Sequence, residues 1–165
     1  GNILNIYRRY YFHNIIFIIV FNYKIIMCWK FHGKAKSKVT TKDLTVYKIV
    51  KNATSRQCES YYQKYIYNLD LQPSTIIVPD RYTENLTTIH EGYHSYQAIE
   101  NVTNPSDILD YRLFKWSGEI YAIYKKNTSM YVATFIIPKN TKYYINEWGD
   151  IVSEQIKYTG KFLEL

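Results

Sequence analysis

Hydrophobic positions along this chain come in short alternating runs more often than in helical stripes. Over 44–50, Tyr47 and Ile49 fall on one face and Val46, Lys48 and Val50 on the other, which predicts a strand. Residues 52–60 read as a turn. The stretch 61–67 fits two patterns, since Tyr61, Tyr65 and Asn68 suit a helical stripe while the tyrosine content favours a strand; the strand is the expectation here. A short strand over 74–78 closes at Pro79-Asp80, and a loop leads on to Ile89. From Ser95 the residues Tyr96, Ala98, Ile99 and Val102 recur at spacings of three and four, predicting a helix with Ser95 as its N-cap. Asn104-Pro105 ends that helix and opens a second, which runs to about Trp116 and stops at Gly118. Alternation then predicts a β-hairpin of 119–125 and 130–137, with two further strands around 142–145 and 151–158 flanking a turn at Trp148-Gly149-Asp150. A short apolar tail follows. The expected fold class is α+β, a mainly antiparallel sheet with one or two helices inserted between strands.

The first 26 residues differ from the rest. Their apolar run, Ile15-Ile16-Phe17-Ile18-Ile19-Val20-Phe21, is too short for a bilayer span, which takes about 20 residues. Arg8 and Arg9 precede it as in a signal peptide, but no small-x-small cleavage site follows. A run of β-branched and aromatic residues outside a membrane has to be covered, so 1–26 is expected to hold a homo-oligomer together. Met27 reads as an alternative start, which would leave 1–26 outside the native chain. Residues 33–42 are polar and lack any apolar period, the mark of a linker. The expected organisation is an apolar extension over 1–26, a basic linker over 27–42 and a single domain over 43–165.

At 165 residues, with 47% hydrophobic, 21% charged and 18% aromatic side chains, the chain is neither a disordered acidic tail nor a collagen-like repeat nor a disulfide-stapled miniprotein. The net charge of +7 is concentrated at the start: residues 1–51 hold ten Lys or Arg against the single acid Asp43, and the remainder holds eleven against thirteen. Nucleic acid is therefore a candidate partner only for the basic linker, which holds Lys30, Lys34, Lys36, Lys38 and Lys42 but no single-strand-binding motif such as the recognition-motif octamer. Cys28 and Cys58 have neither zinc-ribbon spacing nor the density of a disulfide scaffold, which suits a cytoplasmic location. The alternative is an exported lipoprotein, because Ile25-Ile26-Met27-Cys28 resembles a lipoprotein box apart from its bulky Met. The 19 tyrosines suit an adhesive surface and a β-rich core equally.

One string has the look of chemistry. His90-Glu91-Gly92-Tyr93-His94 matches H-E-x-x-H, in which a helix sets two imidazoles, His90 and His94, on a zinc ion while Glu91 activates the bound water. That mechanism needs helix through all five residues. Gly92 costs about 1 kcal/mol there relative to Ala, a Ser95 cap starts the helix downstream of both ligands, and a convincing third ligand is missing, Glu119 lying at the head of a predicted strand across a proline break. The competing reading makes 89–93 a strand or tight turn, with Gly92 at positive φ and His94 a hydrogen-bonding side chain.

The order Val46-Tyr47-Lys48, then Gly92-Tyr93-His94-Ser95-Tyr96, then Ile137-Pro138-Lys139-Asn140-Thr141-Lys142-Tyr143-Tyr144 resembles a family of short uncharacterised proteins from gut bacteria and their phages, many of which begin Met-Cys as Met27-Cys28 would. More distantly, the same order is similar to ADP-ribosyltransferase-like folds. That resemblance implies NAD as ligand, with Tyr47 and Lys48 on the opening strand, Tyr93, His94 and Ser95 on a later one, and Glu154 at the catalytic position. Lys48 stands where that family has Arg or His, and Ser153-Glu154-Gln155 is the nearest string to its paired acids; lysine can contact a phosphate but lacks the planar fork of arginine. The leading expectation is a small binding or interaction domain without catalysis, favouring no cofactor. The alternatives are a degenerate or active transferase-like domain that binds NAD, and a zinc-dependent hydrolase. Nothing in the sequence identifies a ligand.

Overall fold

A computed structural model describes residues 31–61, 64–83, 86–125 and 129–165. The apolar run of 1–26, the oligomer contact expected there, the lipoprotein box and the start of the basic linker lie outside the described residues. Among the described residues the chain is β-rich, with one short helix. This corrects the α+β expectation.

In chain order the strands are β1 (Phe31–Gly33), β2 (Lys36–Val39), β3 (Leu44–Lys51), β4 (Gln57–Ser60), β5 (Ile66–Asn68), β6 (Asp80–Thr83), β7 (Leu86–Ile89) and β8 (Tyr93–Tyr96). After helix α1 (Glu100–Thr103) come β9 (Ser106–Ile108), β10 (Tyr111–Trp116), β11 (Glu119–Tyr124), β12 (Tyr131–Ile137), β13 (Lys142–Ile145), β14 (Asp150–Ser153) and β15 (Lys157–Glu164). The principal sheet runs β15-β12-β3-β8-β14-β13-β2, with β4 and β5 attached beside β3. Two small antiparallel sheets, β1-β7-β6 and β11-β10-β9, complete the fold.

The principal sheet is apolar on both faces because a core lies on each side of it. Val46 and Val50 of β3, Ala133, Phe135 and Ile137 of β12 and Ile151 of β14 face one core, closed by Cys58, Tyr67, Ile156 and Tyr158. Ile49, Val132, Tyr96 and Val152 face the other, closed by Phe31, Ile89, Phe114, Trp116, Tyr121 and Ile123 from the small sheets and by Val102 from α1. Burying each of these larger side chains contributes roughly 1.5–3 kcal/mol. The second core is what fastens the small sheets to the large one.

Several sequence expectations need correction. Ser95 caps no helix: it lies inside β8, paired with Ile151, and α1 is a single turn with no side-chain cap. The spacing of Ile99 and Val102 is helical for that one turn only. Upstream, Tyr93 and Tyr96 bury against opposite cores, which a strand achieves and a helix does not. The second expected helix, 104–116, is instead β9 and β10, where buried Phe114 and Trp116 flank exposed Lys115 with a period of two. The stretch 74–78 alternates, with Ile77 buried and Ile76 and Val78 exposed, but forms no strand; Thr75 N–H donates to the Glu154 carbonyl at 3.0 Å. The loop expected before Ile89 contains β6 and β7. Both strands of the expected 119–125/130–137 hairpin exist, yet they do not pair: β11 pairs with β10, and β12 lies between β3 and β15. The strand expected over 61–67 covers Ile66–Asn68, and the one over 151–158 divides into β14 and β15, the latter absorbing the apolar tail. Within the segment read as a linker, β2 pairs with β13.

Candidate functional site

The group of residues singled out from the sequence lies where β3 meets β8. These two strands pair only at Tyr47 and Tyr96, and the Lys48 ammonium donates to the His94 carbonyl beside that junction. The same ammonium lies 5.5 Å from the centroid of the Tyr67 ring. Burial lowers the Lys48 pKa to about 8, with the nearby Cys58 acting weakly the other way, and burial pushes the Cys58 thiol up to about 12. Tyr93 is buried, its hydroxyl donating to the Pro73 carbonyl at 2.7 Å, and its pKa is raised by burial and by Tyr65. Ser95 is 1% exposed. Thus Lys48, Tyr93 and Ser95 turn their polar atoms inward, and Tyr47 packs against the opposite core.

The H-E-x-x-H helix is not formed. His90 and Glu91 are exposed, Glu91 and Gly92 form a bend with Gly92 at φ 101°, and from Tyr93 the backbone is strand. The His94 ring stacks on Trp116, with centroids 5.5 Å apart and planes at 17°. Its carbonyl, rather than its ring, meets Lys48. Glu154 follows β14, its N–H donating to the Lys142 carbonyl at 3.1 Å. Among the described residues no group of three His, Cys, Asp or Glu is placed to share a metal ion, and no helix is long and apolar enough to cross a membrane.

A different cluster has the geometry of a site. The β10–β11 hairpin turns through Ser117 and Gly118, both at positive φ (49° and 76°), as a two-residue turn closed by the Trp116–Glu119 pair requires. The β13–β14 turn is built on Asn146, whose Oδ1 accepts from the N–H groups of Trp148 at 3.1 Å and Asp150 at 2.9 Å. Asn146 Nδ2 donates to the His32 carbonyl and to Ser117 Oγ, each at 3.1 Å, and Asp150 Oδ2 accepts from Ser117 N–H at 2.7 Å. Asn146, Asp150 and Ser117 are all buried. This knot joins β1, the β10–β11 turn and the β13–β14 turn, one contribution from each of the three sheets. Burial raises the Asp150 pKa, opposed by the Ser117 amide, the Asn146 amide and His32.

The knot carries Trp148 at its outer end. A Cβ on Gly118 would lie 2.7 Å from Trp148 Cζ2, and one on Gly33 would also clash with the ring, so both glycines let backbone approach the indole closely. The His32 ring meets it edge-on, centroids 6.4 Å apart. Held in this way, the indole remains 44% exposed. It forms one wall of a cleft of about 510 Å³ that also includes α1, β10 and the β10–β11 turn. Trp148-Gly149-Asp150 was legible in the sequence as a turn. A large aromatic at a turn tip was the available signal that this turn does more than reverse the chain. Comparison with protein-family models, curated proteins and solved structures finds no match to the chain.

Proposed function

We propose that this chain is a non-catalytic binding domain that takes its ligand in the cleft beside Trp148. The observation that carries the reading is the indole itself, exposed yet fixed between two glycines on a buried polar knot. An aromatic surface ordered before binding loses little entropy when a ligand arrives, and a concave site with an apolar wall and a few polar groups is the usual form of a small-ligand site. The β3–β8 group supports this role less well, because the polar atoms of Lys48, Tyr93 and Ser95 are turned into the protein and away from any cleft. A second cleft, of about 560 Å³ beside Leu69, Leu71 and Tyr158, has no exposed tryptophan among its lining residues.

The test follows the indole N–H resonances of the full-length protein by NMR during titration with three small probes: a methyl glycoside, tetramethylammonium and benzoate. The expected result is a saturable shift of the Trp148 resonance, assigned by its loss in Trp148→Phe, with the Trp116 resonance unmoved. By isothermal titration calorimetry, which does not depend on the lost resonance, a folded Trp148→Ala variant should bind the active probe at least tenfold more weakly than wild type. No response from any probe, or unchanged affinity in Trp148→Ala, refutes the proposal.

A further inference from the structure

The groups around the indole indicate what kind of ligand it meets. Gln97 and Asn101 flank the Trp148 turn: a Cβ at Gly149 would lie 3.2 Å from Gln97 Oε1 and 3.8 Å from Asn101 Nδ2. Asn101 and Asn104 line the cleft, and all three amide side chains are exposed. Among the described residues none of the three makes a side-chain hydrogen bond, so each presents both a donor and an acceptor to whatever enters. The charged groups at the cleft nearly cancel. Glu100 and Lys115 supply one charge of each sign, and the Asp150 carboxylate is already held by Ser117 and Asn146.

A cation would call for acceptors alone and an anion for donors alone. Paired donors and acceptors match hydroxyl groups, which also do both. A flat indole beside them matches the C–H face of a sugar ring, whose weakly positive hydrogens meet the negative face of the π system. Resting on the cleft reading above, we infer that the ligand is a neutral saccharide, its ring stacked on Trp148 and its hydroxyls bonded to Gln97, Asn101 and Asn104.

The experiment titrates full-length protein with cellotetraose, maltotetraose, xylotetraose and chitotetraose, read at the Trp148 indole resonance, with tetramethylammonium and benzoate in parallel. At least one saccharide is expected to saturate with Kd below about 1 mM, unchanged between low and high salt because a neutral ligand is not screened. Measured by isothermal titration calorimetry, since the variant lacks the reporter resonance, Trp148→Ala should weaken binding at least tenfold. Asn101→Ala should weaken it severalfold while leaving the thermal midpoint in place. If tetramethylammonium or benzoate saturates Trp148 and no saccharide does, the saccharide inference is overturned and the cleft reading stands. If nothing moves Trp148, both fall.

Discussion

The Lys48 ammonium sits between a backbone carbonyl and a tyrosine face, in a core whose other contributors are apolar or neutral. Its position follows from β3, where Val46, Lys48 and Val50 share a face, so the lysine has to enter the same core as the two valines. The splay between β3 and β8 leaves the His94 carbonyl for it to bond. Keeping a charge there is costly, and the pKa near 8 expresses that cost. The unfolded lysine titrates near its ordinary value of 10.5. Between about pH 8 and 10.5 the unfolded chain therefore binds more protons than the folded one, and this residue's contribution to stability improves as pH rises through that window. Below pH 8 both states are charged and the penalty is fully present. In Lys48→Met the effect disappears, while tyrosine ionisation, which weakens the fold at higher pH, is common to both proteins. Urea midpoints at pH 7.5, 8.5 and 9.5 should show wild type gaining on the variant at each step. Parallel pH profiles would show that the ammonium is solvated.

At the scale of elements, the Ser117-Gly118 turn determines where Trp148 lies. Gly118 sits at φ 76°, where an L-residue costs about 1–2 kcal/mol, and an alanine methyl would also press on the indole. Gly118→Ala should destabilise the protein by at least that amount and shift the Trp148 indole resonance. Gly92→Ala is the control: it is strained at φ 101° and presses on Val152 and Ile77 instead, so it should destabilise without moving Trp148. Equal shifts in the two variants would mean that general loosening, not the turn, displaces the indole. The turn also shows which parts of the fold the sequence reveals. Alternation over 44–50 was readable because β3 divides its side chains between two cores, and the Trp148-Gly149-Asp150 reversal was readable from local chemistry. Partners were not. β11 and β12 each carry a clear strand pattern, but alternation does not say which strand lies alongside, and the short Ser117-Gly118 turn took β11 to β10. The same limit hid the site, since the indole is held by Gly33 and Gly118, which come from different sheets. The H-E-x-x-H string failed for the opposite reason: it is local in sequence, and the two cores on either side of β8 impose an extended backbone on it.

For the whole molecule, a sheet this long has to end safely. Among the described residues the principal sheet is bounded by β15 and by β2, and β2 presents Lys36, Ser37, Lys38 and Val39 all exposed, with Val39 at 59%. A strand with one unpaired side is a template for a second molecule, and lysines on such an edge oppose that pairing, because two approaching copies would bring like charges together. The basic stretch that suggested a solvated linker thus includes a protected sheet edge. Replacing Lys36 and Lys38 with threonine keeps β propensity while removing the charge. Full-length Lys36→Thr/Lys38→Thr protein should associate at lower concentration than wild type, measured by sedimentation velocity across a dilution series. The Lys36→Glu/Lys38→Glu variant should stay at the wild-type state, since two acidic edges repel as two basic ones do. If the threonine variant sediments like wild type throughout, these lysines are not what guards the edge. If the glutamate variant associates as readily as the threonine one, self-repulsion is not the means by which they act.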